Sequence, residues 1–352
     1  MDCTSLLQDF RNNAIANAND NDATPRPPPL LDIQDKRYEK AHITLTTTPH
    51  PFYVSLHPKE LDPVRYSVFE ARKYYESGLS QAISDVFDRK RIGNYHEQQD
   101  TRTRSSTTER SAVKSRSIFL DVGANVGWFS LLAASHGAQV YTFEPNIVNM
   151  VRYCESVVLN GWDVQQQQQQ QRYGSRYVVP YLKGVSDVHG VQQTFYAVDG
   201  TNPGSYSFSK NVVDIWNRKH ASDAKEIGSL TMVSLDVLAE EQGWLETRPS
   251  IGFLKIDVEG LEAAVIRGAT KLLQGGMVEN VAMELKKEQK EEEKREIVRI
   301  LYTAGYDLYK HGRYKGPVNS VRGGKYKTWE ALADDIVNGV YAENVWFRIS
   351  RY

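Results

Sequence analysis

Phe119-Leu120-Asp121-Val122-Gly123-Ala124-Asn125-Val126-Gly127 decides the fold. An apolar run ends on an acid, turns through glycine and enters a helical pattern over Val126 to His136, which Gly137 stops. Gly123 permits a tight turn and close approach of backbone to a ligand, and Gly127 permits close packing of the helix on the strand. Amide groups at the start of the helix can meet a carboxylate, and the Asp121 carboxylate can sit near a cationic amino group. That pairing suits a zwitterionic amino-acid moiety better than a pyrophosphate. The dinucleotide pattern G-x-G-x-x-G is absent, because Asn125 stands at its second glycine.

Outward from this turn, strand and helix patterns alternate. Gln139 to Phe143 is a second strand, Val148 to Leu159 a second helix and Tyr177 to Val185 a third strand. Gln192 to Ala197 and Leu230 to Leu235 form an excursion of additional strands. Ile251 to Ile256 is a near-continuous apolar strand, followed by a helix over Leu261 to Leu273, a strand over Val278 to Leu285 and a charged helix over Lys286 to Ala304. Asn344 to Ile349 is the last strand, and Ser67 to Asp88 carries helical spacing ahead of the whole series. The expected class is therefore α/β, a single doubly wound, mostly parallel sheet with a strand excursion and polar insertions. Such sheets bind ligands beyond the carboxyl ends of their strands.

Composition narrows the function. The 352 residues carry a net charge of −1, with 43 Lys+Arg against 44 Asp+Glu, so a chain-wide attraction to nucleic acid or anionic membrane is not expected. No apolar run is long enough to cross a bilayer, and the first residues lack a leader's basic start and apolar run, so a soluble cytoplasmic enzyme is expected. Residues 1–36 are expected to be disordered, ahead of a catalytic domain over 37–352. Three stretches offer no apolar face: Asn12 to Pro29, the polar insertion Arg89 to Arg116, and the glutamine run Gln165 to Gln171. With Cys3 and Cys154 the only cysteines, neither a disulfide nor a zinc site is expected, and Cys154 reads as a buried helix residue. The eight histidines show no metal spacing, so no metal is assigned.

Glu144 ends the second strand in Tyr141-Thr142-Phe143-Glu144-Pro145, about twenty residues past the glycines. An acid there can accept both ribose hydroxyls of a nucleoside. With the Gly123 loop, the expected ligand is adenosine joined to an amino acid.

At these residues the chain resembles the FkbM methyltransferase family. The carrying stretches are Leu120-DVGANVG-Trp128, Tyr141-TFEP-Asn146, Gly184-VSD-Val188, Val233-SLDVL-Ala239 and Lys255-IDVEG-Leu261-Glu262, over roughly Ile118 to Leu285. The resemblance implies a Rossmann-like methyltransferase fold, S-adenosyl-L-methionine as cofactor, and a hydroxyl of a sugar or small natural product as acceptor. It also implies that Asp121, Gly123, Asn125 and Gly127 hold the methionine end, Glu144 the ribose, and that Ser186 and Asp187 lie near the adenine.

The reacting end is expected at the next two strand ends. Lys255, Asp257 and Glu259 alternate, and so share a side if the strand persists that far. Glu284 ends the following strand. A hydroxyl acceptor needs a proton acceptor or a polarising cation, so Asp257 is the first candidate base, with Glu284 and Lys255 in support. Asp257 and Glu259 are alternatively caps of the helix near Leu261. Glu259, Asn202 and Ser205 are candidates for contacting the acceptor. The rival functions are a nicotinamide-dependent oxidoreductase, against which the missing G-x-G-x-x-G pattern speaks, and a non-catalytic module on the same fold.

Overall fold

A computed structural model describes residues 2–9, 41–58, 63–65, 67–68, 74–88, 117–163, 178–198, 206–208, 213, 224–287, 289–309, 326–341 and 344–350. The stretches Asn12 to Pro29, Arg89 to Arg116 and Gln165 to Gln171, and the candidates Asn202 and Ser205, lie outside the described residues.

The strands in chain order are β1 (His42–Leu45), β2 (Tyr53–Leu56), β3 (Ile118–Val122), β4 (Gln139–Phe143), β5 (Val178–Tyr181) and β6 (Gly184–Val185). They continue as β7 (Gln192–Val198), β8 (Tyr206–Ser207), β9 (Ala224–Val233), β10 (Ile251–Ile256), β11 (Asn280–Glu284), β12 (Tyr306–Tyr309) and β13 (Asn344–Ile349). The principal helices are α1 (Trp128–Ser135), α2 (Ile147–Leu159), α3 (Leu235–Glu241), α4 (Glu262–Arg267), α5 (Thr270–Gln274), α6 (Glu291–Thr303) and α7 (Trp329–Val337). Residues 3–9 and 77–88 are also helical.

Seven strands form the main sheet in the order β12-β13-β11-β10-β3-β4-β5. β3, β4, β5, β10 and β11 run parallel to their neighbours among these, while β13 is antiparallel to both β11 and β12. Alternate residues of the central strands enter two separate cores. Phe119 and Phe253 meet α1, α2 and the helix at 77–88, whereas Leu120, Val122, Leu254 and Ile256 meet the helices that follow β9. The sheet is thus covered on both faces, which is why every residue of β3 and β10 is buried and why their sequences read as apolar runs interrupted only near their carboxyl ends, by Asp121 and Lys255. Burying each Leu, Ile or Phe here stabilises by roughly 1.5–3 kcal/mol. Chain order reverses between β3 and β10, so the switch point lies at their carboxyl ends.

Several expected boundaries move, each for a local reason. The expected third strand divides, because after β5 the chain turns into a second sheet of order β6-β9-β7-β8. Gly184 makes that turn against Met232 and Phe208, where a Cβ would come within 2.5 Å of the Met232 sulfur. The helix expected over Leu261 to Leu273 breaks into α4 and α5 at Gly268, which touches the Ser186 carbonyl. There the Asp236 carboxylate accepts the Lys271 and Leu272 amides at 2.9 and 3.1 Å, giving α5 its own start. Of the helix expected over Ser67 to Asp88, the described residues show an α-helix over 77–88, after a turn at Tyr75 and Glu76. The charged helix begins at Glu291, whose i,i+4 partner Arg295 approaches to 2.7 Å.

The largest correction concerns the N-terminus. Cys3 and Cys154 form a disulfide, which the sparse cysteines had argued against. Cys154 is a buried residue of α2, as expected, and Cys3 reaches it from the helix at residues 3–9. Two further ties hold this helix: Cys3 and Thr4 donate to the Asp163 carboxylate at 3.1 and 2.6 Å. Leu6 is buried beside them. Disorder over 1–36 therefore does not describe residues 3–9.

Candidate functional site

A cavity of about 220 Å³ opens at the carboxyl ends of β3, β4, β10 and β11. Its lining includes Gly123 and Asn125 from the first loop, Phe143 and Pro145 from the end of β4, and Asp257, Val258 and Glu259 from the end of β10. Glu284 and Lys286 close one side, and Lys183, Gly184, Val185, Tyr206 and Phe208 the other. Three sites of unlike chain position thus meet where the strand order reverses.

The first loop holds three residues with positive φ, a conformation that glycine adopts most easily: Gly123 at 79°, Asn125 at 55° and Gly127 at 84°. At Gly123 a Cβ would lie 1.8 Å from the Asp257 carbonyl, so the missing side chain lets the ends of β3 and β10 touch. At Gly127 it would strike the Tyr153 ring at 1.9 Å. Gly127 therefore serves the packing of α1 on α2, not on the strand as the motif suggested, and it does not line the cavity.

Lys255 lies below this loop, buried, and its ammonium donates to the Gly123 carbonyl at 2.6 Å. It stands 3.6 Å from both Asp121 and Asp257. Burial lowers its pKa, but Asp257, Asp121 and Glu76 outweigh that and hold the ammonium charged above its ordinary value. It is a positioning cation. Asp121 is wholly buried too, accepts Ser130 Oγ at 2.7 Å, and does not reach the cavity. Burial raises its pKa, opposed by Lys255 and Ser130. The charge expected to face a ligand's amino group is therefore turned toward a protein lysine.

Asp257 lines the cavity. The structure distinguishes its two sequence readings, because α4 has Leu261 at its N-cap without a side-chain cap, and Glu262 Oε1 takes the Val258 and Gly260 amides at 3.3 and 3.1 Å. Neither Asp257 nor Glu259 caps the helix. β10 ends at Ile256, so the alternation of Lys255, Asp257 and Glu259 stops there, and Glu259 adopts φ 53°. Glu259 is paired with Lys286, which also approaches Glu284 at 3.6 Å. Burial, reinforced by Asp257, raises the Glu259 carboxyl above its ordinary value, opposed by its pairing with Lys286. Carboxylate oxygens of Asp257, Glu259 and Glu284 lie within 4.8 Å of one another, a spacing compatible with a divalent cation, though Lys286 already supplies them with positive charge.

Glu144 directly follows β4, one residue past its last, yet it is wholly buried and its oxygens are taken by protein donors. Oε2 accepts the Asn125 amide at 2.7 Å, and Oε1 accepts the Asn146 amide at 2.8 Å and the Tyr206 hydroxyl at 2.5 Å. Burial pushes its carboxyl up to about 7, opposed by those hydrogen bonds. The Tyr206 hydroxyl thus meets Glu144 Oε1 at the cavity wall. The cavity is smaller than the roughly 300–1,000 Å³ of most ligand sites. Ser186 and Asp187 lie outside the cavity: Ser186 Oγ accepts the Val188 amide at 3.2 Å and Asp187 is paired with Arg267 at 2.6 Å. Lys183, Gly184 and Val185, just before them, line it instead.

Tyr75 and Glu76 also line the cavity and were missed, because the helical spacing around them assigned Tyr75 to a core face. Glu76 breaks the helix with φ 41°. A positive φ at a non-glycine residue is a strained conformation common at functional sites. Burial and Asp257 raise its pKa.

Tyr206→Phe removes the hydroxyl that Glu144 accepts and, on the expectation that Glu144 takes the ribose, should tighten binding of S-adenosyl-L-homocysteine roughly tenfold, the value of one hydrogen bond to a charged group. Calorimetric titration reads this, and weaker binding in the folded variant would make the hydroxyl part of the ligand site instead.

The model of the methyltransferase FkbM domain matches residues 121–308, more than half of the chain. No curated protein matches it.

Proposed function

The chain belongs to the FkbM methyltransferase family, and from that premise we propose that it transfers a methyl group from S-adenosyl-L-methionine to an oxygen acceptor, a hydroxyl on a sugar or small natural product. The observation that carries the reading is the cavity at the switch point, where a glycine loop, an apolar wall and a group of carboxylates face one another. The donor set fits the cofactor's parts. Gly123 and Asn125 offer loop backbone to the methionine end, and Phe143, Pro145, Val185 and Phe208 offer apolar surface to the adenosine. Glu144 would take the ribose once Tyr206 withdraws.

When bound, the cofactor supplies an electrophilic methyl carbon. The protein's part is alignment and proton acceptance. Asp257 faces the cavity and receives the acceptor's proton, while Lys255 behind it fixes both that carboxylate and the Gly123 loop. Glu284 and Lys286 orient the acceptor, and Glu259, paired with Lys286, holds that ammonium in place. The partner is a small molecule or glycan, with neither nucleic acid nor membrane required. The test is transfer of label from methyl-labelled cofactor into a cell extract. Label in a hydroxyl-bearing product is expected; label confined to amine products would overturn the oxygen acceptor.

A further inference from the structure

Away from the cavity, residues distant in sequence converge on one point. His50 lies in the connection between β1 and β2, Asp88 at the end of the helix over residues 77–88, and His136 at the C-cap of α1. His136 Nδ1 is 2.7 Å from Asp88 Oδ1, and His50 Nε2 is 3.6 Å from the same oxygen. One candidate ligand atom from each residue falls within a 4.8 Å envelope. The two imidazoles meet edge to face, with ring centroids 4.6 Å apart and planes at 87°.

We propose that His50, Asp88 and His136 form a binding site for a divalent transition metal, with Zn²⁺ the simplest occupant. Donors around a tetrahedral zinc with bonds of about 2.0–2.2 Å lie roughly 3.3–3.5 Å apart. The observed 2.7 and 3.6 Å to Asp88 bracket that spacing, and the two imidazole donors lie within 4.8 Å of each other, so small side-chain shifts bring all three to it. Two imidazoles and a carboxylate are a donor set that zinc, cobalt, nickel and iron all accept, and that calcium and magnesium do not favour. His136 is buried, which fixes one ligand, whereas the side chains of His50 and Asp88 are 31% and 42% exposed and leave an entry path and a position for water. A carboxylate has only lone pairs to offer, so in the metal-free arrangement His136 Nδ1 carries the proton that Asp88 accepts. Metal entry at Nδ1 takes the neutral imidazole with its one proton shifted to Nε2, so His136 stays neutral and Asp88 exchanges that N–H for the cation.

The metal would tie three separate segments together. The helix over residues 77–88 ends at Asp88, and its other end follows Tyr75 and Glu76 on the cavity wall. Twelve helical residues span about 18 Å, so the site is distinct from the cavity and anchors one of its walls from behind.

The experiment uses the full chain freed of metal by a chelator and dialysis, titrated with Zn²⁺ by calorimetry and followed by melting temperature. Expected for the wild type is saturable uptake of one equivalent at this site with a raised melting temperature. His50→Gln, on an exposed connection, and Asp88→Asn should each weaken that uptake at least about tenfold. Asp257→Asn, in the other carboxylate group, should leave it in place. Absence of uptake by the wild type, uptake unchanged in both His50→Gln and Asp88→Asn, or uptake abolished by Asp257→Asn alone would overturn the site. Affinity for S-adenosyl-L-homocysteine, measured on the same samples, reports separately on the methyltransferase reading.

Discussion

Asp257→Asn is expected to lower turnover by about 10²–10⁴, the usual loss for a general base, while affinity for S-adenosyl-L-homocysteine stays within a few-fold. Asparagine keeps the shape and hydrogen-bonding reach of the side chain and removes only its basic charge. Lys255 does not lose its only counter-charge, because Asp121 stands at the same 3.6 Å on its other side. The loop that Lys255 holds through the Gly123 carbonyl should therefore keep its place. A structural explanation of any loss is weakened by the start of α4, where Glu262, not Asp257, takes the free amides. The measurement is kcat with labelled cofactor on an identified acceptor, with the dissociation constant of the homocysteine product on the same variant. Near-normal turnover would pass the base's role to Glu284.

The second large effect is on stability. Cys3→Ser should lower the melting temperature by about 3–7 °C, from a loss of about 2–5 kcal/mol. The bond closes a loop across a sequence separation of 151 residues, which greatly restricts the unfolded chain. The hydrogen bonds of Cys3 and Thr4 to Asp163 are made only while the helix stays docked, so they weaken with it. Reductant should lower the wild type by a similar amount and leave Cys3→Ser unchanged. A wild type indifferent to reductant would contradict this. The same bond bears on the compartment. Disulfides persist in oxidising surroundings and are reduced in most cytosols, so this pair argues against the cytoplasmic setting that the first residues suggested. Among the described residues no helix is long and apolar enough to cross a membrane.

Much of the sheet was legible because burial on both faces writes itself into composition. Ile118–Val122, Gln139–Phe143, Ile251–Ile256 and Asn344–Ile349 are strands at the expected residues. What sequence could not carry is tertiary. Gly268 ends a helix because the Ser186 carbonyl touches it from 82 positions earlier, and no local pattern encodes that touch. Residues 3–9 are polar enough to resemble their neighbours, yet a single bond and one aspartate 160 positions away dock them. At the site, the chemistry-bearing residue types were readable but their facing was not. Asp121 and Lys255 belong to the motif and turn inward to each other, while Tyr206 and Glu76, outside any motif, turn into the cavity. The His50, Asp88 and His136 group was hidden for the same reason, since its members stand far apart in sequence.

The central claim is that the switch-point cavity binds S-adenosyl-L-methionine, and titration of the folded chain with S-adenosyl-L-homocysteine, in parallel with NAD⁺, tests it most directly. Saturable binding of the homocysteine compound is expected, with no binding of NAD⁺ and with roughly 1–3 kcal/mol lost in Glu144→Ala through missing hydrogen bonds to the ribose. Circular dichroism on that variant guards against loss of the fold, because Glu144 also holds the Asn125 and Asn146 amides. A folded wild type that ignores S-adenosyl-L-homocysteine, or that binds NAD⁺ in its place, would contradict the account.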